Sequence, residues 1–171
     1  MRKVVLFIAT SLDGFIAGEN GSTDWLYTDG DFGYREFYNS IDTTIMGYNT
    51  YYYIKQFPEF PYPEKKNYVF SRRKRMPDDN PIEFVYGDIV NFINALKKED
   101  GKNIWLVGGG QINSLLHNAR LIDQMIISIH PIALGNGIKL FRDVDLKRLN
   151  FRLINHQVYD RGLVQLTYEK T

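Results

Sequence analysis

Apolar positions along the chain switch between continuous runs, alternation and helical spacing, and each spacing predicts an element. Val4 to Ile8 is an unbroken apolar run that reads as a buried strand, ended by Thr10-Ser11-Leu12-Asp13-Gly14. Asp31 to Ser40 predicts a helix, with Tyr34, Phe37, Tyr38 and Ile41 on one face. Thr43 to Met46 is a short β-branched strand closed by Gly47, and Asn49 to Ile54 a short helix stopped before the Pro58 to Pro63 loop. Tyr68-Val69-Phe70 reads as a strand followed by the basic run Arg72-Arg73-Lys74-Arg75. Ile82 to Val85 is another, after which Asp88 caps a helix with Ile89, Phe92, Ile93 and Leu96 inward. Met125 to Ile129 is a strand ended before Pro131. Phe151 to Val158 and Leu163 to Tyr168 alternate partially around Asp160-Arg161-Gly162, a hairpin signal.

The most informative stretch is Ile104-Trp105-Leu106-Val107-Gly108-Gly109-Gly110-Gln111-Ile112-Asn113-Ser114-Leu115-Leu116. An apolar run suited to a parallel strand covered on both faces meets three glycines. Ile112, Leu115, Leu116 and Ala119 then fall on one helix face. Strand, glycine turn and helix together present backbone N–H groups to an anion at a helix N-terminus. Without side chains, Gly108 to Gly110 would let a diphosphate approach the backbone. A tight turn with no ligand has the same sequence. No Gly-Lys-Ser/Thr follows, which excludes a P-loop, and a Rossmann spacing would need Gly or Ala at Asn113.

Strands alternate with helices until the last third and then become a hairpin. That order predicts one α/β domain over residues 1–171, with a mainly parallel central sheet, helices on both faces and an antiparallel C-terminal hairpin at one edge. Ligands of such sheets bind at the carboxyl ends of the strands. Here those ends are Ala9 to Gly14, Gly47 to Thr50, Ser71 to Arg73 and Gly108 to Gln111, which hold the polar and glycine-rich features noted above.

Composition narrows the classes. A length of 171 residues suits one well-buried domain, and 44% hydrophobic with 24% charged residues is ordinary for a globular protein. A formal net charge of +1 gives no electrostatic argument for nucleic acid or an anionic membrane. The absence of cysteine excludes disulfides and thiolate metal sites and is compatible with a reducing cytoplasm, the expected location. Val4 to Ala9 is too short for a signal sequence core or a membrane span. His117, His130 and His156 match no ligand spacing, so no metal is expected. The aromatic content, 15%, is high, and many of the tyrosines lie between Tyr27 and Tyr68.

Four motifs occur in order: Ser11-Leu12-Asp13-Gly14-Phe15-Ile16-Ala17, Ile45-Met46-Gly47-Tyr48-Asn49-Thr50-Tyr51, Val107-Gly108-Gly109-Gly110 and Pro131-Ile132-Ala133-Leu134-Gly135-Asn136-Gly137. Together they resemble the dihydrofolate reductase-like superfamily, in particular the branch similar to the reductase domain of the bifunctional riboflavin-biosynthesis deaminase-reductase. The resemblance covers nearly the whole chain and implies a three-layer α/β fold, a reductase using NADPH, and commonly a homodimer. It places Gly47, Tyr48, Asn49 and Thr50 beside the cofactor diphosphate and adenosine, with Val107, Gly108, Gly109, Gly110, Gln111 and Ile112 on the other side. It also implies that the Gly108-Gly109 peptide can be cis. Ala9 and Ile16 would border the nicotinamide, and Asn20 and Gly21 would lie on a loop able to close over it. Ser71 and Arg72 match the grip on the adenosine 2′-phosphate, with Arg73 adjacent. Guanidinium chemistry independently suits that dianion, although basic runs are also often solvated loops.

Two departures stand out. Dihydrofolate reductases typically have an arginine where this chain has Tyr48. The riboflavin reductases carry Asp-Asp-Pro where Tyr52-Tyr53-Ile54-Lys55-Gln56-Phe57-Pro58 stands here, which weakens any expectation of a ribityl-phosphate pyrimidine.

Reducing a C=N or C=O bond leaves an atom that needs a proton, so an acid is expected near the ring pocket. By resemblance, Asp31 falls where dihydrofolate reductases place their pocket carboxylate. On a helix it would share a face with Tyr34, Arg35 and Tyr38. Asp31 is thus a candidate catalytic or substrate-orienting residue; equally it suits a helix cap, as does Asp29. Asp13 reads as a turn residue. Trp25, Phe32 and Tyr34 suit either stacking on a heterocycle or core packing, and Ile126, Ile127 and Ile129 either a dimer interface or a buried strand. The leading expectation is an NADPH-dependent reductase of a planar pterin-like or pyrimidine-like heterocycle, akin to 5-amino-6-(5-phosphoribosylamino)uracil reductase. A true dihydrofolate reductase and a nucleotide-binding module without turnover are the alternatives.

Overall fold

The computed structural model describes residues 1–76, 79–142 and 145–171. Its elements run β1 (Val4–Thr10), β2 (Phe15–Ala17), α1 (Tyr34–Ser40), β3 (Ile41–Gly47), α2 (Tyr48–Ile54), β4 (Lys66–Phe70), β5 (Ile82–Val85) and α3 (Ile89–Leu96), then β6 (Asn103–Gly108), α4 (Gly110–Asn118), β7 (Gln124–Ile129), β8 (Ile138–Lys139), β9 (Phe151–Val158) and β10 (Val164–Lys170). The main sheet has the order β5-β4-β3-β6-β1-β7-β10-β9. Its first six strands are parallel; β10 runs antiparallel to β7 and pairs with β9 as the expected edge hairpin.

The continuous apolar runs become central strands because they are covered on both sides. Val4 and Leu6 point into a core with Ile45, Ile104, Leu106 and Leu116, under α3 and α4. Val5 faces a second core with Phe37, Met46, Tyr51, Tyr62, Val69 and Trp105, under α1 and α2. This is the three-layer arrangement, and among the described residues no helix is long and apolar enough to cross a membrane. Asp88 caps α3 as expected, its side chain accepting from the Asn91 N–H at 3.0 Å.

Some expectations needed correction. The first helix starts at Tyr34, because Phe32 (φ 47°) and Gly33 (φ 78°) adopt left-handed backbone that ends any helix beginning at Asp31. In α4, Leu115 is 38% exposed and the inward face is Asn113, Leu116 and His117. That face meets chain carbonyls as well as core: Asn113 Nδ2 donates to Leu140 O at 2.9 Å, and His117 Nε2 lies 2.8 Å from Lys147 O. The β7 isoleucines are half-buried, on a strand whose two edges pair with β1 and β10. Strands β2 and β8 were not anticipated. They form a separate two-stranded antiparallel pair, of three and two residues, too short to show a period.

Candidate functional site at the carboxyl ends of the strands

The topology brings the four sequence-predicted segments to one rim. Strands β3, β6 and β1 are neighbours at the sheet centre, with Met46 paired to Gly108. The Gly108-Gly109 peptide is cis, as the resemblance implied. A Cβ on Gly109 would lie 3.2 Å from Thr50 Oγ1, and one on Gly47 would lie 3.0 Å from Ile112 Cγ1. The Gly47–Thr50 segment and the Gly108–Ile112 turn therefore wall one narrow cradle, which any side chain at these glycines would fill. The exposed Gln111 stands at its rim, on the first turn of α4, and Val107 is half-buried just before it.

The three glycines of the turn prove to have different reasons. Gly108 has φ 118°, a conformation that favours glycine, and its missing Cβ faces Asn113 Oδ1 at 3.5 Å. Gly109 leaves space beside Thr50. Gly110 does not leave room for a ligand: its missing Cβ would meet Lys139 O at 2.4 Å, so the chain itself occupies that space. Asn113 Oδ1 is buried and has no hydrogen-bond partner, an uncompensated acceptor directly behind the turn.

On the other side of β1, Ala9 is half-buried and paired with Ser128, and Ile16 is half-buried in β2. Asn20 is exposed, accepting from the Ser22 N–H at 3.1 Å, while Gly21 (φ 83°) lies against the Tyr53 ring of α2. The loop thus already reaches across to α2. Its continuation is docked on the ends of β7 and the hairpin. The Tyr27 N–H donates to His130 Nε2 at 3.2 Å, Asp29 pairs with Arg161 at 2.5 Å, and Gln165 Nε2 donates to Phe32 O at 3.0 Å. Burial holds the His130 imidazole below its usual range, in keeping with the neutral ring that accepts from Tyr27.

Asp31 lies before α1, not on it. It is exposed, and its carboxylate accepts from the Arg35 N–H at 3.2 Å, which is capping geometry. The expected shared face with Tyr34 and Tyr38 is not formed. Tyr34 instead packs edge-on against Phe7 and Trp105, and burial, reinforced by Tyr38, pushes its hydroxyl up to about 12. Among the sequence-predicted arginines, Arg72 and Arg73 are exposed. Ser71 is buried; its hydroxyl donates to Arg73 O at 2.7 Å and accepts from Arg75 Nε at 3.2 Å.

Sequence reasoning missed one contact between motifs. Asp13 is more than a turn residue: besides taking the Ser11 hydroxyl at 2.6 Å, its carboxylate accepts from the Leu134 and Gly135 N–H groups at 3.1 and 2.7 Å. These bonds hold the Pro131–Gly137 motif against the Ser11–Gly14 turn and bring the Asp13 carboxyl down to about 2, the Ser11 hydroxyl contributing most. Because the folded value lies below the ordinary 3.8, this stabilisation is complete above about pH 4 and is lost as the pH falls toward 2. Asp13→Asn should therefore unfold at lower urea concentration than wild type near pH 6, with the gap closing toward pH 2. A gap independent of pH would show that charge is not what the clamp uses.

The family model described as the RibD C-terminal domain matches residues 2–165 of the chain. A Bacillus subtilis (strain 168) protein, YyaP, described as uncharacterized, is 38% identical over 179 residues, spanning 98% of this chain and 94% of its own. The solved structure of a candidate riboflavin biosynthesis protein from Shewanella sp. PV-4 superposes with a TM-score of 0.88 at 31% identity, covering 99% of each chain. A Thermotoga maritima diaminohydroxyphosphoribosylaminopyrimidine deaminase/5-amino-6-(5-phosphoribosylamino)uracil reductase shares the fold, with a TM-score of 0.75 at 17% identity. The likeness takes in 99% of this chain and 57% of that one.

Proposed function

Since this chain belongs to the RibD C-terminal domain family and has the dihydrofolate reductase-like fold, we propose that it is an NADPH-dependent reductase of a planar pyrimidine-like or pterin-like heterocycle, of the kind used in riboflavin biosynthesis. The observation that carries this reading is the glycine cradle between β3 and β6, walled by Thr50 and Ile112 so closely that a Cβ at Gly47 or Gly109 would press on them. Its donors suit a diphosphate: the N–H groups opening α4, the Thr50 hydroxyl, and no carboxylate in either segment.

Bound NADPH would supply the hydride, and the chain's task is to orient, dehydrate and manage a proton. In this reading Gly47, Tyr48, Asn49 and Thr50 hold one side of the dinucleotide, and Val107 to Ile112 hold the other. Ala9 and Ile16 flank the ring, and the Asn20–Gly21 loop, already against Tyr53, excludes water. Asp31, on the rim beside α1, is the proposed carboxylate for orienting substrate or relaying the proton. The stretch Tyr52 to Pro58, which holds no Asp-Asp-Pro, argues against a substrate recognised by its ribityl phosphate. For a homodimer, edge strand β9, with Leu153, Ile154 and Val158 exposed, offers the apolar surface, which light scattering can check.

The test is a titration with NADPH and NADH followed by tryptophan fluorescence, then a turnover screen of pterins and pyrimidines. Saturable binding and oxidation of NADPH support the reductase. Saturable binding without turnover of any substrate offered would favour a nucleotide-binding module, and no binding of either dinucleotide would overturn the cofactor reading.

A further inference from the structure

Strands β1, β7 and β10 bring three residues into one cross-strand row. Ala9 pairs with Ser128, and Ser128 pairs with Gln165. Cross-strand partners share a sheet face, and this row lies two residues beyond Phe7 and Ile126, which pack in the core under α1. On that face the Gln165 side chain reaches over β7 to the chain entering α1. Its Nε2 donates to Ser128 Oγ at 2.9 Å and to Phe32 O at 3.0 Å.

A carboxamide has two N–H groups, and both are spent on these contacts. Phe32 O is a carbonyl that only accepts, so the amide cannot turn over and Oε1 is fixed as an acceptor. A Cβ built on Gly33 would lie 3.5 Å from Gln165 Oε1 and 3.5 Å from the Tyr159 hydroxyl. Two oxygens thus converge on the space left by a glycine at the opening of α1. Among the described residues, neither has a hydrogen-bond partner at that oxygen. The Phe32 ring meets the Tyr159 ring edge-on at 5.3 Å and steadies the phenol. Burial, with the Asp31 carboxylate adding to it, pushes the Tyr159 hydroxyl up, so the phenol keeps its proton and can donate at neutral pH.

An acceptor beside a donor is the complement of a lactam edge, a ring N–H next to a C=O. Because the amide rests on Ser128, it stands one strand spacing (~5 Å) from Ala9. A ring presented to a nicotinamide bordered by Ala9 therefore turns one edge to Gln165. We propose that Gln165, with the Tyr159 hydroxyl beside it, reads the lactam edge of the heterocycle and so selects uracil-like and oxopterin-like rings over rings without that N–H. The inference rests on the reductase reading above and names the substrate class of that site. Ser128 is a positioning residue, which acts by holding the amide.

The test measures dissociation constants of wild type for NADPH, for 5,6-diaminouracil and for its derivative methylated on both ring nitrogens. Gln165→Met, Tyr159→Phe and Gln157→Ala are compared with it, and thermal melting controls for folding. Wild type should hold the unmethylated ring about 10-fold or more tighter, as expected when an acceptor loses its donor. Gln165→Met should bring that ratio to about twofold or less, and Tyr159→Phe should reduce it part-way; both should change NADPH less than about twofold. Gln157→Ala, one strand further out in the same row, should keep the wild-type values. A glutamine that merely braced Phe32 would on removal weaken both rings alike, so an unchanged ratio in Gln165→Met overturns the assignment. So does a wild type that binds NADPH but does not prefer the unmethylated ring. Both results leave the cofactor reading standing, whereas failure of wild type to bind NADPH would overturn that reading and this inference with it.

Discussion

Gly110→Ala should cost about 3 kcal/mol of stability, the upper end of what an inserted methyl usually does in a packed site, and should weaken NADPH binding as well. The added Cβ would stand 2.4 Å from Lys139 O and 3.2 Å from Arg142 Cβ. Lys139 O cannot simply retreat. Leu140 O accepts from Asn113 Nδ2 at 2.9 Å, the Leu140 N–H donates to Gly14 O at 3.0 Å, and the Arg142 N–H donates to Ser114 Oγ at 2.9 Å. Relief must therefore break β8 away from α4 or from the Gly14–Ala17 segment, which would disturb its pairing with β2. Urea unfolding measures the first effect and fluorescence titration the second. Gly109→Ala is the comparison, because its Cβ meets only the Thr50 hydroxyl at 3.2 Å, a side chain that can turn. Equal stability losses in the two variants would show that the contact with Lys139 O does not determine the cost.

The second large effect is expected at Trp105, which is only 6% exposed and lies mid-sheet beneath α1. Its ring meets Phe37 at 5.3 Å, Tyr34 at 5.9 Å, Tyr62 at 4.9 Å and Phe7 at 6.3 Å, and its Nε1 donates to Phe7 O at 3.1 Å. Trp105→Ala should lose about 3–5 kcal/mol, the usual range for emptying a large aromatic site. Trp105→Phe, which keeps a ring but drops the donor, should lose about 1–2 kcal/mol. The loss should fall first on α1. That helix has seven residues, too few to persist alone, and is fixed by Phe37 stacked on Phe7 at 4.2 Å. Hydrogen exchange of Tyr34 to Ser40 should accelerate more than that of β6; uniform acceleration would mean that α1 does not depend on this ring.

The sequence made the sheet readable because its strands are buried on both faces, so apolar runs such as Ile104 to Val107 carry little ambiguity. The cradle was readable for a related reason: glycines directly after such runs can only sit at strand ends. Elsewhere the decisive contacts join distant residues. Leu115 reads as core by spacing, but α4 turns polar Asn113 and His117 inward to meet carbonyls of residues 140 and 147. The start of α1 depends on left-handed backbone at Phe32, which no pattern of side chains announces. Asp13 looks like a turn residue until the segment at Leu134 supplies its partners.

The central position of β1 also bears on how the chain reaches its native state. Strand β1 is synthesised before both of its neighbours, which are drawn from residues 103–108 and 124–129, so both its edges stay unpaired until those residues follow. Closure of the sheet then joins segments about a hundred residues apart, as in Val4 with Ile104 and Leu6 with Met125, and the loop entropy of that step must be met before the buried surface repays it. Assembly is therefore governed by the arrival of the later strands, and the apolar Val4–Ile8 segment is the part of the nascent polypeptide most in need of shielding until they come.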